Sequence, residues 1–146
     1  MDMAADTPSG HIISRRIDIG RITLNVREKG SGPLMLFFHG ITSNSAVFEP
    51  LMARLSDRFT TIAVDQRGHG HSDKPEAGYE ANDYADDIAG LIRTLDRGPA
   101  ILVGHSLGAR NSVTAAPNTR IWCGRSSQST LRRTSRPKRW TRWKRG

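Results

Sequence analysis

The sequence is most informative first in what it lacks. Its single cysteine, Cys123, has no partner for an internal disulfide, which fits a reducing compartment. No run of about 18 apolar residues occurs, so no membrane-spanning helix is expected. The opening Met1–Gly10 has no apolar core of the kind a secretion signal needs, so the expected location is the cytoplasm. Acidic residues vanish part-way along. Residues 1–106 carry all 14 Asp and Glu and 11 of the Lys and Arg, a net −3. Residues 107–146 carry the other 11 Lys and Arg and no acid, a net +11. All five histidines also precede Ser106. The overall +8 is therefore the sum of two unlike halves.

A chain of 146 residues allows one domain with a moderate core. His11 to Ile19 and then Ile22 to Arg27 alternate apolar and polar residues around the turn at Gly20-Arg21, which predicts an antiparallel hairpin. Gly30-Ser31-Gly32-Pro33 breaks the chain. Leu34-Met35-Leu36-Phe37-Phe38 is unbroken apolar sequence, the form of a strand covered on both faces. After His39-Gly40-Ile41, a helix is expected with Val47, Phe48, Leu51, Met52 and Leu55 on its buried stripe. Phe59 to Val64 reads as the next buried strand. It runs into a polar loop, Asp65 to Pro75. From Asn82 a second helix places Tyr84, Ile88, Leu91, Ile92 and Leu95 on one face, and Gly98-Pro99 is expected to stop it.

Ala100 to Val103 is the last strand predicted. It leads into Gly104-His105-Ser106-Leu107-Gly108, and Leu107 to Ala116 can continue as a helix. A strand that bends sharply into a helix lifts the middle side chain, Ser106, clear of the backbone. Glycines on either side remove the side chains that would clash in so tight a bend. The Leu107 amide at the helix start can face the same spot and stabilise an oxyanion. Strands alternating with helices of 10–15 residues predict a mainly parallel sheet covered by helices. Sites on such sheets lie at the carboxyl ends of the strands. His39-Gly40-Ile41, the Asp65 loop and Ser106 all fall there.

Together His39-Gly40-Ile41, Asp65-Gln66-Arg67-Gly68-His69-Gly70-His71-Ser72-Asp73 and Gly104-His105-Ser106-Leu107-Gly108 resemble the α/β-hydrolase family, over about residues 12 to 116. The resemblance implies an α/β fold with a mainly parallel sheet and an N-terminal antiparallel hairpin, cut short after the nucleophile elbow. It implies Ser106 as nucleophile and the backbone N–H groups of Ile41 and Leu107 as the oxyanion hole. Gly40, Gly104 and Gly108 support the motif. His39 is expected to order the turn presenting Ile41, Asp65 and Arg67 to tie down their loop, and His105 to pack. A serine at the elbow resembles esterases, lactonases, carbon–carbon hydrolases and cofactor-free haloperoxidases. It argues against the branches with aspartate there, the haloalkane dehalogenases and epoxide hydrolases. The implied partner is a small ester-like or lactone substrate. No cofactor is implied, and the histidines His69 and His71 lack the further ligands a metal site needs.

A serine needs a base and a group to orient it. In the family these follow the serine, as an Asp or Glu and then a His. After Ser106 this chain has none of the three, so little or no turnover is expected. From Pro117 the apolar periodicity also ends. The expected organisation is a flexible stretch at 1–11, the first half of a hydrolase domain at 12–116, and a basic tail at 117–146. A change of reading frame near Ala116 would produce such a tail. The alternative is a basic interaction segment, with Trp140 and Trp143 among Lys and Arg, binding nucleic acid or an acidic surface.

Overall fold

The computed structural model describes residues 10–119 and 121–122. The strands are β1 (Ile13–Asp18), β2 (Thr23–Lys29), β3 (Leu34–Phe38), β4 (Thr60–Val64), β5 (Ala100–Gly104) and β6 (Ile121–Trp122). The helices are α1 (Glu49–Leu55), α2 (Ala81–Leu95) and α3 (Leu107–Ala115). One mixed sheet has the order β1-β2-β4-β3-β5-β6. β1 and β2 form the antiparallel hairpin, and β2 pairs antiparallel with β4. β4, β3, β5 and β6 run parallel. This is the α/β architecture expected from the sequence. Among the described residues no helix is long and apolar enough to cross a membrane.

The unbroken apolar run of β3 is explained by its place. It has a strand on each side and a layer on each face, and all five of its residues are buried. Leu34, Leu36 and Phe38 meet Ile88, Leu91 and Ile92 of α2 and Ala115 of α3. Met35 and Phe37 point the other way, to Phe48 and to Met52 of α1. The period of two thus assigns each side chain to one of two cores. Phe37 and Phe38 are essentially inaccessible, and burying such a side chain contributes about 1.5–3 kcal/mol.

Two expectations need correcting. Val47 and Leu51, placed on the buried stripe of the first helix, are exposed. A 3₁₀ turn, Ser45–Phe48, precedes α1, and its tighter winding shifts the phase of the stripe. Only Phe48, Met52 and Leu55 reach the core. Further on, α2 stops before Gly98. Its C-cap is Asp96, which takes a left-handed conformation with φ 47°. The start of α2 carries a capping box in which Glu80 and Asp83 satisfy each other's backbone N–H.

Beyond α3 a 3₁₀ turn, Ala116–Asn118, leads to β6. β6 pairs with Ala100 and Ile101 only. Among the described residues, nothing pairs with the outer edge of Leu102 to Gly104. Leu102 to Gly104 are accordingly half-buried where β3 and β4 are fully buried. The rest of the basic tail and the opening residues 1–9 lie outside the described residues.

Candidate active site

The carboxyl ends of β3, β4 and β5 bring three segments together. At the end of β5 the chain makes a tight turn over His105–Gly108, closed by the Gly108 N–H donating to the His105 carbonyl at 3.0 Å. Ser106 is the first central residue, with φ 53° and ψ −112°. Those angles are close to the first central position of a type II′ turn, which favours glycine. A serine there stores strain on the order of 1–3 kcal/mol. The bend leaves Ser106 exposed at the mouth of the sheet.

The flanking glycines are required by contact. A Cβ at Gly104 would lie 2.4 Å from the Gly108 carbonyl oxygen and 2.5 Å from the Ala109 nitrogen. One at Gly108 would lie 2.1 Å from the carbonyl oxygen of Phe38. The start of α3 therefore rests directly on the end of β3. The His105 N–H donates to the Phe38 carbonyl at 3.0 Å, and the Gly108 N–H also reaches the His39 carbonyl at 3.1 Å.

The turn after β3 lies against this elbow. A Cβ built on Gly40 would meet the His105 ring at 3.2 Å and Ser106 Cβ at 3.7 Å. His39 is fully buried. Its Nε2 accepts from the Gln66 backbone N–H at 3.0 Å. The proton must then sit on Nδ1, which donates to the Gly40 carbonyl at 2.7 Å. Burial holds the ring below its ordinary pKa. His39 is thus a neutral ring fixing the Gly40–Ile41 peptide, with neither nitrogen available to take a proton from Ser106. Among the described residues, neither the Ile41 N–H nor the Leu107 N–H has an acceptor. Ile41 itself is 66% exposed.

The loop after β4 is held from both sides. Asp65 accepts from the Ser45 N–H at 2.7 Å, Asn25 Nδ2 at 3.0 Å and the His71 N–H at 3.1 Å. Burial pushes its carboxyl pKa up, but these donors outweigh burial and hold it below the ordinary value. Ser72 Oγ donates to the Asp65 carbonyl and accepts from the Asn25 N–H. Arg67 forms a buried two-pronged pair with Asp87 of α2, at 2.7 and 2.9 Å, and donates to the Gly78 carbonyl. Asp65 and Arg67 are consumed in holding their loop.

Sequence reasoning missed the buried link between these segments. Gln66 Nε2 donates to the His39 carbonyl at 2.7 Å, and Gln66 Oε1 accepts from Asn111 Nδ2 at 2.8 Å. The chain of amides ties the β3 turn, the β4 loop and α3 into one unit. The available signal was positional, since Asn111 follows Gly108 by one helical turn and shares its buried face. His105, expected to pack, is exposed, and its hydrogen bonds in this segment run through its backbone. Among the described residues no Asp, Glu or His side chain hydrogen-bonds Ser106.

A strained residue between a parallel strand and a helix, beside unengaged amides at the carboxyl edge of a mixed sheet, defines an α/β-hydrolase elbow. Residues 33–124 match the family described as alpha/beta hydrolase fold, and the chain belongs to that family.

Within it, the chain is 91% identical over 116 residues to the 2-(acetamidomethylene)succinate hydrolase of Mesorhizobium japonicum, covering 80% of this chain and 42% of that protein. The crystal structure of E-2-(acetamidomethylene)succinate hydrolase superposes with a TM-score of 0.73 at 92% identity, covering 74% of this chain and 40% of that one. More distant is a fluoroacetate dehalogenase from Burkholderia, 36% identical over 101 residues, 66% of this chain and 33% of that protein. The epoxide hydrolase of Vigna radiata superposes at 0.70 with 31% identity, covering 73% and 35%. The chain thus spans about two fifths or less of the length of these relatives.

Proposed function

We propose that this chain carries the nucleophile and oxyanion half of a serine hydrolase, and that its substrate class is a 2-(acetamidomethylene)succinate-like carbonyl compound. The observation that carries the reading is Ser106, exposed at a strained II′ position beside the free amides of Ile41 and Leu107. In that arrangement Ser106 Oγ would attack a carbonyl carbon, such as that of an acetamido group. The two amides would take up the negative charge developing on the carbonyl oxygen. The serine in place of an aspartate separates this chain from the dehalogenase and epoxide hydrolase relatives, with which it shares the fold. The 91% match to a succinate-derivative hydrolase supports the substrate class.

The reading extends to the organisation of the chain: a hydrolase part at 12–116 and a tail translated out of frame from near Ala116, while the expected start segment falls mostly on residues 1–9, outside the described residues. The chain aligns with the Mesorhizobium enzyme over 116 of its 146 residues. With no acid or His after Ser106 in the sequence and none hydrogen-bonded to it among the described residues, little or no turnover is expected of this chain.

The test has two arms. The chain itself should show no Ser106-dependent hydrolysis of 2-(acetamidomethylene)succinate or of a p-nitrophenyl ester, matching its Ser106→Ala variant. A gene with the frame restored after the Ala116 codon should encode an enzyme whose kcat falls on the order of 10⁶-fold in Ser106→Ala. Ser106-dependent turnover by the unrestored chain at ordinary enzyme rates refutes the missing base. Failure of both other frames to supply an acid and a histidine refutes the frame change.

A further inference from the structure

The side-chain amides of Gln66 and Asn111 form a chain whose direction is fixed at both ends. At one end the His39 carbonyl can only accept, so Gln66 turns its nitrogen to it, at 2.7 Å. At the other end the Arg110 guanidinium can only donate, and it reaches Asn111 Oδ1 at 3.2 and 3.3 Å. Asn111 Nδ2 is then left to donate to Gln66 Oε1, at 2.8 Å. Each donor in the line points from α3 towards β3. Gln66 and Asn111 are both buried, where an amide that loses its partner stays unmatched.

The chain ends on the residue that aims Ile41. Gln66 holds His39 at two points, the ring through its backbone N–H and the carbonyl through its side chain. A residue gripped at both places cannot swivel. His39 Nδ1 is thereby fixed, and it donates to the Gly40 carbonyl at 2.7 Å. In a planar trans peptide the C=O and the N–H that follows it point in opposite directions. With the Gly40 carbonyl turned to the buried ring, the Ile41 N–H is turned away from it. At the other end of the chain, Asn111 sits on α3 one helical turn after Leu107.

We infer that Gln66 is a positioning residue for the oxyanion hole, that Asn111 braces it, and that this buried amide chain sets the Ile41 N–H relative to the Leu107 N–H. The inference rests on the oxyanion reading of those two amides. Backbone bonds already pin the start of α3 to the end of β3: the Gly108 N–H donates to the His39 carbonyl and the His105 N–H to the Phe38 carbonyl. Neither reaches the His39 ring. Gln66 is the residue that joins ring, carbonyl and helix. A change on α3 is therefore felt at a turn that the changed side chain does not touch.

Amide resonances of the full chain, labelled with ¹⁵N, test this without turnover or substrate. In Asn111→Asp the new carboxylate can pair with Arg110 but has no donor for Gln66 Oε1. Gln66 must then turn its amide over and give up the His39 carbonyl. The Ile41 resonance should move. Gln66→Met should move it as well, and the double variant should add nothing further. Ile17→Val, which weakens the core in β1, should leave it in place. An Ile41 resonance unmoved in Asn111→Asp, or moved as far in Ile17→Val, overturns the chain. So do effects of the two variants that simply add. Should Gln66→Met fail to fold, Asn111→Asp compared with Ile17→Val still decides. The oxyanion reading fails separately, if the frame-restored enzyme keeps its turnover in Ser106→Ala. Where that reading stands, Gln66→Met should lower kcat of the frame-restored enzyme on the order of 10²-fold with little change in KM. A rise in KM alone would overturn the positioning role.

Discussion

Replacing Gly108 by alanine should destabilise the fold, although the same change usually strengthens a helix. The new Cβ would sit 2.1 Å from the Phe38 carbonyl oxygen, 2.4 Å from its carbon and 2.8 Å from Phe38 Cβ. Real Cβ contacts start near 3.0 Å. Phe38 cannot retreat, because it is buried in β3 between Val64 of β4 and Gly104 of β5. The first turn of α3 must therefore lift, which stretches the Gly108 N–H from the His39 carbonyl. Overpacking of this kind costs about 1–3 kcal/mol, and the weakened hydrogen bond about 1 kcal/mol. Helix propensity returns up to about 1 kcal/mol. A net loss of about 2 kcal/mol follows. Gly90, in the middle of α2, is the control. Its Cβ would meet Ile19 at 3.4 and 3.5 Å, ordinary contact, so Gly90→Ala should gain about 0.5–1 kcal/mol. Urea unfolding followed by far-UV circular dichroism measures both. A Gly108→Ala protein as stable as wild type, or a Gly90→Ala protein weakened by more than about 1 kcal/mol, would refute the contact argument.

Ser106→Gly should stabilise the chain by about 1 kcal/mol, since it relieves the II′ strain less the unfolded-state entropy of glycine. Ser106→Ala keeps its Cβ and should show no such gain, so urea midpoints of the two variants separate strain from loss of the hydroxyl. Arg67→Met strands the buried Asp87 carboxylate and should cost about 3–5 kcal/mol; Arg67→Met with Asp87→Leu should recover much of it, read from the same unfolding curves. Thermal unfolding should depend on pH in two steps. His39 has a folded pKa below its ordinary 6.5, so its contribution is complete above that value and is lost as pH falls through the folded one. Asp65, held below its ordinary 3.8, adds a second loss further down. His39→Gln should flatten the upper step alone, and a Tm that rises on acidification from pH 6.5 would contradict the assignment.

The parts of the fold legible in the sequence are those where one side chain's surroundings are set by near neighbours. Leu34 to Phe38 is apolar throughout because β3 has a layer on each face, so its role could be read without knowing its partners. The type of the elbow was legible because Gly104 and Gly108 are demanded by backbone contacts that no other residue survives. The misread places depend on phase or on distance. Val47 fell on the wrong side because a 3₁₀ turn winds it forward, and nothing in the composition of Ser45–Phe48 announces that winding. The stop of α2 went to Gly98 because an aspartate in the left-handed region carries no strong local mark. Gln66 and Asn111 were invisible for another reason. Each is an unremarkable polar residue until the ends of β3, β4 and α3 meet, and only then do their amides become each other's partners.

That network bears on what Ser106 needs. Every contact that sets the elbow comes from the glycines, the ends of β3 and β5, His39, Gln66 and Asn111. Among the described residues, none comes from an acid or a base directed at the serine. The strained backbone and the two free amides are thus products of packing, present whether or not a proton acceptor exists. Strain in a turn can be held only if its surroundings over-determine it, and here steric contact at two glycines does so from both ends. The presentation of the hydroxyl and its activation are therefore separable in this fold. A frame-restored chain should gain activity with little change in the geometry of residues 38–111, so the backbone chemical shifts of that segment should coincide in the two proteins. Large differences at Ile41, Ser106 or Leu107 would mean that the base helps to build the elbow as well as to use it.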